Sequence, residues 1–237
     1  MSANQYTPAQ LGVRPAPALV QQLLVGAFGW MFAGLLLSAG VAYLVGTSPT
    51  LLQTVTQWWL PIIIGQFVLV MVIQGAMSRL SPVALLGMFF VYAATMGLTI
   101  GVIVWSVMQQ EGGVAAVSSA FFASSAMFGA AALYGAVTKR DLSSMGGILF
   151  MGLIGIIVAS VVNIFLHSPA VSWAISILGV VIFTALTAYD VQKITTGAYA
   201  AWTGSKEKAS VMAALHLYLN FINLFLFMLR IFGGNRG

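Results

Sequence analysis

Seven apolar runs, each long enough to cross a hydrocarbon core about 30 Å thick as a helix of roughly 20 residues, dominate this chain and leave little room for any other architecture. They fall at about 20–45, 58–77, 82–108, 114–137, 145–167, 170–190 and 210–232. The breaks between them are short and carry helix-stopping residues: Gly46 to Pro49, Ser81-Pro82, Glu111-Gly112-Gly113, Lys139-Arg140-Asp141 and Ser168-Pro169, with a longer stretch from Lys193 to Ser210. Composition closes off a soluble alternative. Hydrophobic residues make up 60% of the 237 and charged residues only 5%, whereas a soluble domain has about a quarter of its residues charged. The expected fold is all-α: a polytopic membrane protein of seven transmembrane helices, each antiparallel to its sequence neighbours. The third span exceeds what a bilayer needs and is expected to tilt or protrude.

Residues 1–18 are polar and contain Pro8, Pro15 and Pro17, which predicts a short tail ahead of a membrane domain over 19–237. The tail has no basic n-region of the kind a cleavable signal carries. Nine Lys and Arg against four Asp and Glu give a formal charge of +5, and their scatter between apolar spans points to topology rather than to nucleic acid. With the N-terminus inside, the inner loops hold Arg14, Arg79, Lys139, Arg140, Lys193, Lys206 and Lys208, against Arg230 and Arg236 outside. The positive-inside rule therefore predicts a cytoplasmic N-terminus and, if the last span crosses fully, an outer C-terminus.

Helices in lipid associate through small residues that let backbones approach. Gly97 and Gly101 make a GxxxG in the third span. In the fourth, Ser125 with Gly129, Ala126 with Ala130, then Ala131 and Gly135 suggest a second contact face. Both are expected to serve packing within the chain rather than dimerisation.

Enzyme chemistry finds little to work with. There is no cysteine, which removes thiolate nucleophiles, iron–sulfur clusters and Cys-based zinc sites. Walker, HExxH, GxSxG and dinucleotide-binding glycine motifs are absent. No lysine occupies 210–232 to form a retinal Schiff base, and two facing carboxylates for an intramembrane aspartyl protease are not available. No catalytic residue and no resident cofactor are expected.

A carboxylate in a membrane segment costs about 2.5 to 3.5 kcal/mol at mid-bilayer on insertion scales, so it calls for a partner or a role. Asp190 ends the sixth span near the predicted cytoplasmic edge. One reading makes it a hydrated boundary residue paired with Lys193 one turn on. The other comes from the seventh span, where His216, Asn220 and Asn223 are spaced four and three apart and so share one helix face. Such a stripe belongs against protein or water rather than lipid. Interhelical hydrogen bonding as structural glue would also account for it. His216 reads as a satisfied buried histidine rather than a metal ligand, with His167 at the opposite membrane face.

Three stretches carry a resemblance. Tyr134-Gly135 through Thr138-Lys139-Arg140-Asp141-Leu142-Ser143, then Thr187-Ala188-Tyr189-Asp190-Val191-Gln192-Lys193-Ile194, and finally Leu217-Tyr218-Leu219-Asn220-Phe221-Ile222-Asn223-Leu224-Phe225 with Leu229-Arg230-Ile231-Phe232-Gly233 resemble the Bax inhibitor-1 family in its bacterial branch. The resemblance implies a bacterial inner-membrane protein whose last helix is central, wrapped by the other six. It further implies a pH-sensitive calcium leak, gated where a carboxylate on helix six meets one on helix seven. Asp190 matches the first, as gate and calcium contact, with calcium the permeant ion. Asn220 stands where the usual motif reads Leu-Tyr-Leu-Asp-Phe-Ile-Asn. The second span has Gln66, and no basic residue before Arg79, where many members carry an acid and an arginine.

These departures change the expected chemistry. Two facing carboxylates share a proton and titrate as a coupled unit, which an Asp facing an Asn cannot do. Asn220 still donates to ionised Asp190 or accepts from its protonated form. Calcium, which prefers several oxygens and carboxylate charge, should bind less well. The expectation is a cation pathway with Asp190 and Asn220 as latch and His216 and Asn223 as polar lining, less pH-sensitive than the family pattern. The alternative is a non-conducting protein that modulates a membrane partner such as a protease.

Overall fold

The computed structural model describes residues 15–234, so Arg14, Arg236 and residues 1–14 of the expected tail lie outside the described residues. Nine helices run in chain order among the described residues: α1 (Pro17–Thr47), α2 (Pro49–Gln57), α3 (Trp59–Ala76), α4 (Pro82–Met108), α5 (Gly113–Val137), α6 (Met145–Leu166), α7 (Pro169–Thr195), α8 (Ala198–Thr203) and α9 (Lys206–Gly233). Seven of them, all but α2 and α8, are long and apolar enough to cross a membrane. Their bounds follow the apolar runs to within a few residues. Pro17 and Ala18, read from sequence as tail, already belong to α1.

The helix starts have a simple local cause. Three begin at a Ser-Pro pair, in which the serine oxygen accepts a backbone N–H of the first turn and proline occupies a position that needs no N–H. Ser48 accepts from Leu51 N at 3.3 Å, Ser81 from Ala84 N at 3.2 Å and Ser168 from Val171 N at 3.4 Å. The short α8 is framed by Gly197 and Gly204, both at positive φ (73° and 67°), a conformation that glycine adopts without a steric penalty.

The chain divides into two compact units. The first holds α1 to α4, α8 and α9 as far as Tyr218. Within it α1 packs chiefly on α4, and the GxxxG glycines make that approach. A Cβ on Gly97 would stand 2.7 Å from the Ser38 carbonyl oxygen, and one on Gly101 would stand 2.8 Å from Val45 Cβ. The Ser38 hydroxyl donates to Ala93 O at 2.7 Å and accepts from the Tyr218 hydroxyl at 2.6 Å, tying α1, α4 and α9 together. Gln66 on α3 is buried and donates through Nε2 to Thr95 O at 2.8 Å. The position that departs from the family pattern thus serves as an interhelical fastener. Lys208 Nζ donates to Met77 O at 3.2 Å, next to Arg79.

The second unit holds α5, α6, α7 as far as Lys193 and α9 from Leu219. The small-residue face expected on α5 is only half correct. Ala126, Gly129 and Ala130 are exposed, and a Cβ on Gly129 would meet nothing within 4 Å. The buried face runs instead through Ala116, Ala120, Ser124, Phe128, Ala131, Ala132 and Gly135. Ala131 and Gly135 were expected on it, whereas Ala126, Gly129 and Ala130 are displaced from it by part of a turn. Helix α9 contributes to both units and is the best covered of the seven candidate spans, with 72% of its apolar window buried against 11 to 44% for the others. The lipid-facing surface is correspondingly apolar, with Phe32, Phe67, Met71, Phe122 and Phe165 among its exposed residues.

Candidate functional site

The site forms in the second unit around the last two turns of α7. Gly135 on α5 has no side chain, and the Ala188 carbonyl lies where its Cβ would be, so α5 and α7 meet backbone to backbone. The connection that follows α5 is then fastened to the same helix. Gln192 Oε1 accepts from Leu142 N at 2.8 Å and Gln192 Nε2 donates to Arg140 O at 2.8 Å. Leu142 packs with Ala131 and Ala188 in a small core that Met145 and Tyr189 flank. Asp141 Oδ1 accepts from Ser143 N at 2.9 Å. This bond, with a second from the Ser143 hydroxyl, holds the Asp141 carboxyl below the usual carboxylate range despite full exposure.

Against this frame stands Asp190, only 5% exposed. Asn220 on α9, 4% exposed, donates from Nδ2 to Asp190 Oδ2 at 2.8 Å. Lys193, one turn on, places Nζ 3.9 Å from Asp190 Oδ1 and 5.3 Å from the Tyr189 ring centroid. The hydrated-boundary reading and the helix-to-helix reading of Asp190 therefore each capture one contact. The carboxylate pairs along its own helix and also bonds across to α9. A buried carboxylate is tolerated only when its charge is met in this way.

The other two residues of the α9 stripe go elsewhere. Asn223 Nδ2 donates to Leu219 O of its own helix at 2.8 Å. His216 lies in the first unit, where Nδ1 is 2.6 Å from the Tyr199 hydroxyl and the imidazole stacks on Trp202 at 26° and 6.3 Å. His216, Asn220 and Asn223 share a side of the helix by spacing but hold three different partners.

Tyr199, Trp202 and Gln192 were missed from sequence as parts of this arrangement. Gln192 lies inside a motif already singled out. The aromatic pair is signalled only by the two glycines that bracket a six-residue helix inside what reads as a connection. Among the described residues no group of three or more His, Asp or Glu stands close enough to hold a metal ion.

Comparison with known proteins places the chain in a family. The family model described as "Inhibitor of apoptosis-promoting Bax1" matches residues 20–237. An inner membrane protein of Escherichia coli strain K12, YbhL, is 41% identical over 232 residues, covering 94% of this chain and 96% of that protein. An uncharacterized protein of Deinococcus radiodurans is 40% identical over 213 residues, covering 90% of each chain. Seven apolar helices, a buried Asp on α7 bonded to α9, and a match that takes in nearly the whole chain make this an integral membrane protein that belongs to the Bax inhibitor-1 family.

Proposed function

We propose that the chain is a passive cation pathway of the bacterial inner membrane, with calcium as cargo and the Asp190–Asn220 contact as its gate. The single observation that supports this reading most strongly is the buried bond from Asn220 Nδ2 to Asp190 Oδ2. It joins α7 to α9 through the one side chain there whose charge a proton can cancel. When Asp190 is ionised it accepts from Asn220 across to α9, which holds the two helices together, while Lys193 on its own helix favours the charged form. Protonation removes the ion pair and turns a charge-assisted bond into a neutral one of about half the strength. The latch loosens, and flux rises as pH falls. No catalysis enters this account. Asp190 and its bond to Asn220 stand near the C-terminal end of α7, where Lys193 lies and Gln192 holds the Lys139–Arg140 connection, and the positive-inside rule assigns that end, with the N-terminus, to the cytoplasm.

The test is calcium entry into proteoliposomes loaded with an indicator dye, at pH 6 to 8. Wild type is expected to conduct more at pH 6, and Asp190→Ala to conduct without pH dependence. Identical flux for the two proteins at every pH would sink the proposal.

A second reading, a non-conducting protein that modulates another membrane protein, draws support from the scarcity of acids. The chain has four Asp and Glu in all, and Asp190 faces an amide where a conducting site would gain from another carboxylate. A stoichiometric partner recovered from native membranes, together with silent proteoliposomes, is its expected outcome. Flux without any such partner counts against it.

A further inference from the structure

At the other end of the second unit, the C-terminus of α6, the N-terminus of α7 and the last turn of α9 enclose an open cavity of about 630 Å³. That volume is in the range of small-molecule sites, roughly 300 to 1,000 Å³, and well beyond the needs of a lone inorganic ion. Its polar wall includes Ser160, Asn163, Ser172 and Arg230. Asn163 and Ser172 are partly spent on one another, Nδ2 to Oγ at 2.7 Å. The Ser160 hydroxyl and the Arg230 guanidinium have no partner among the described residues.

The acids of this unit, Asp141 and Asp190, both lie at its opposite end, beside Ser143 and Lys193. Arg230 is the charged residue among those that line the cavity, and no acid among the described residues lines it. A cation at the last turn of α9 also suits the helix dipole, which accounts for Arg230 by itself. It does not account for an open donor-lined cavity in front of it. The remaining wall is apolar and faces outward. Trp173 and Ile164 line the cavity while 56% and 65% exposed, so the mouth opens directly onto the lipid-facing surface. Tryptophan one turn into a span is also the residue type that settles at the headgroup level.

We propose that this cavity binds the headgroup of an anionic phospholipid, with the phosphodiester on Arg230 and Ser160 and an acyl chain along Ile164 and Trp173. An arginine fork matches phosphate oxygens in a way that a lysine point charge does not. The apolar rim selects an amphiphile over free phosphate. The site is separate from the Asp190 contact and stands whether or not the protein conducts.

Native mass spectrometry of the full chain in a neutral detergent, titrated with dioleoylphosphatidylglycerol or dioleoylphosphatidylcholine, tests it. Wild type should prefer the anionic lipid. Arg230→Gln should weaken the first phosphatidylglycerol bound by roughly tenfold, the scale of one charge-assisted hydrogen bond, and leave phosphatidylcholine unchanged. Ser160→Ala, which keeps the charge, should weaken phosphatidylglycerol by less. Millimolar inorganic phosphate should not displace it. The proposal is overturned if Arg230→Gln binds phosphatidylglycerol as wild type does, if inorganic phosphate displaces the lipid, or if Arg140→Gln, which removes equal charge at the opposite end, causes the same loss.

Discussion

At the scale of single residues, the site is held by groups whose roles can be separated. Gln192 satisfies a backbone donor and a backbone acceptor of the α5–α6 connection at once. Gln192→Leu leaves both without a partner, and the expected cost is about 1 to 3 kcal/mol for each group that stays buried, read as a lower melting temperature in detergent. Gly135→Val forces a side chain into the Ala188 carbonyl. Overpacking of this kind typically costs about 1 to 3 kcal/mol, and here the obstruction is backbone, which cannot swing away. Asp141 gives a pH-dependent counterpart. Its folded-state carboxyl is held low by Ser143, so its contribution is present above the unfolded carboxylate range and fades as pH falls through the folded value. The stability gap between wild type and Asp141→Asn should therefore close below roughly pH 4. A gap that persists in acid would mean that the asparagine acts through packing instead. Of these residues, Asp190 announces itself in the sequence, because a carboxylate among apolar residues needs a reason. Gln192 does not, since a glutamine near a helix end is ordinary until its two partners, 50 and 52 residues away, are in view.

At the scale of elements, seven spans are readable because hydropathy over 20 residues is a strong signal and Ser-Pro pairs mark two of their starts, those of α4 and α7. The two short helices are not readable in this way. Helix α2 has nine residues and α8 has six, too short for periodicity to rise above noise. Missing α8 meant missing Tyr199 and Trp202, and with them the surroundings of His216. Small-residue faces are legible only in part. Gly97 and Gly101 were identified correctly as a packing surface, whereas on α5 an error of part of a turn put Gly129 on the wrong side, because glycine and alanine occur around most of that helix. A paired substitution tests the distinction. Gly97→Leu, which drives a side chain into the Ser38 and Val41 region of α1, should abolish recovery of folded protein from membranes. Gly129→Leu, which meets open space, should leave yield and melting temperature close to wild type. Equal damage from the two would contradict the assignment of faces.

At the scale of the whole molecule, the charges gather at helix ends. In the first unit Lys208 reaches the C-terminal turn of α3 beside Arg79. In the second, Lys139, Arg140 and Lys193 sit at one end, with Arg230 at the other. This asymmetry carries the proposed orientation. A periplasm-active reporter is expected to be silent when fused after Lys139 and active when fused after Gln110, and the reverse pattern would invert the topology. Family and architecture were legible because motifs at three separated places had to agree, and the bond between Asp190 and Asn220 followed from two of them. What those motifs left open was how the α9 stripe divides, since spacing along a helix says which residues share a side and not which partners await them. The most direct test of the gate is the pH profile of calcium flux in proteoliposomes from pH 6 to 8 for wild type, Asn220→Asp and Asp190→Ala. The account predicts modest acid activation in wild type, steeper dependence when the second carboxylate lets the pair titrate as a unit, and a flat profile when Asp190 is gone. Profiles of the same shape for all three would contradict it.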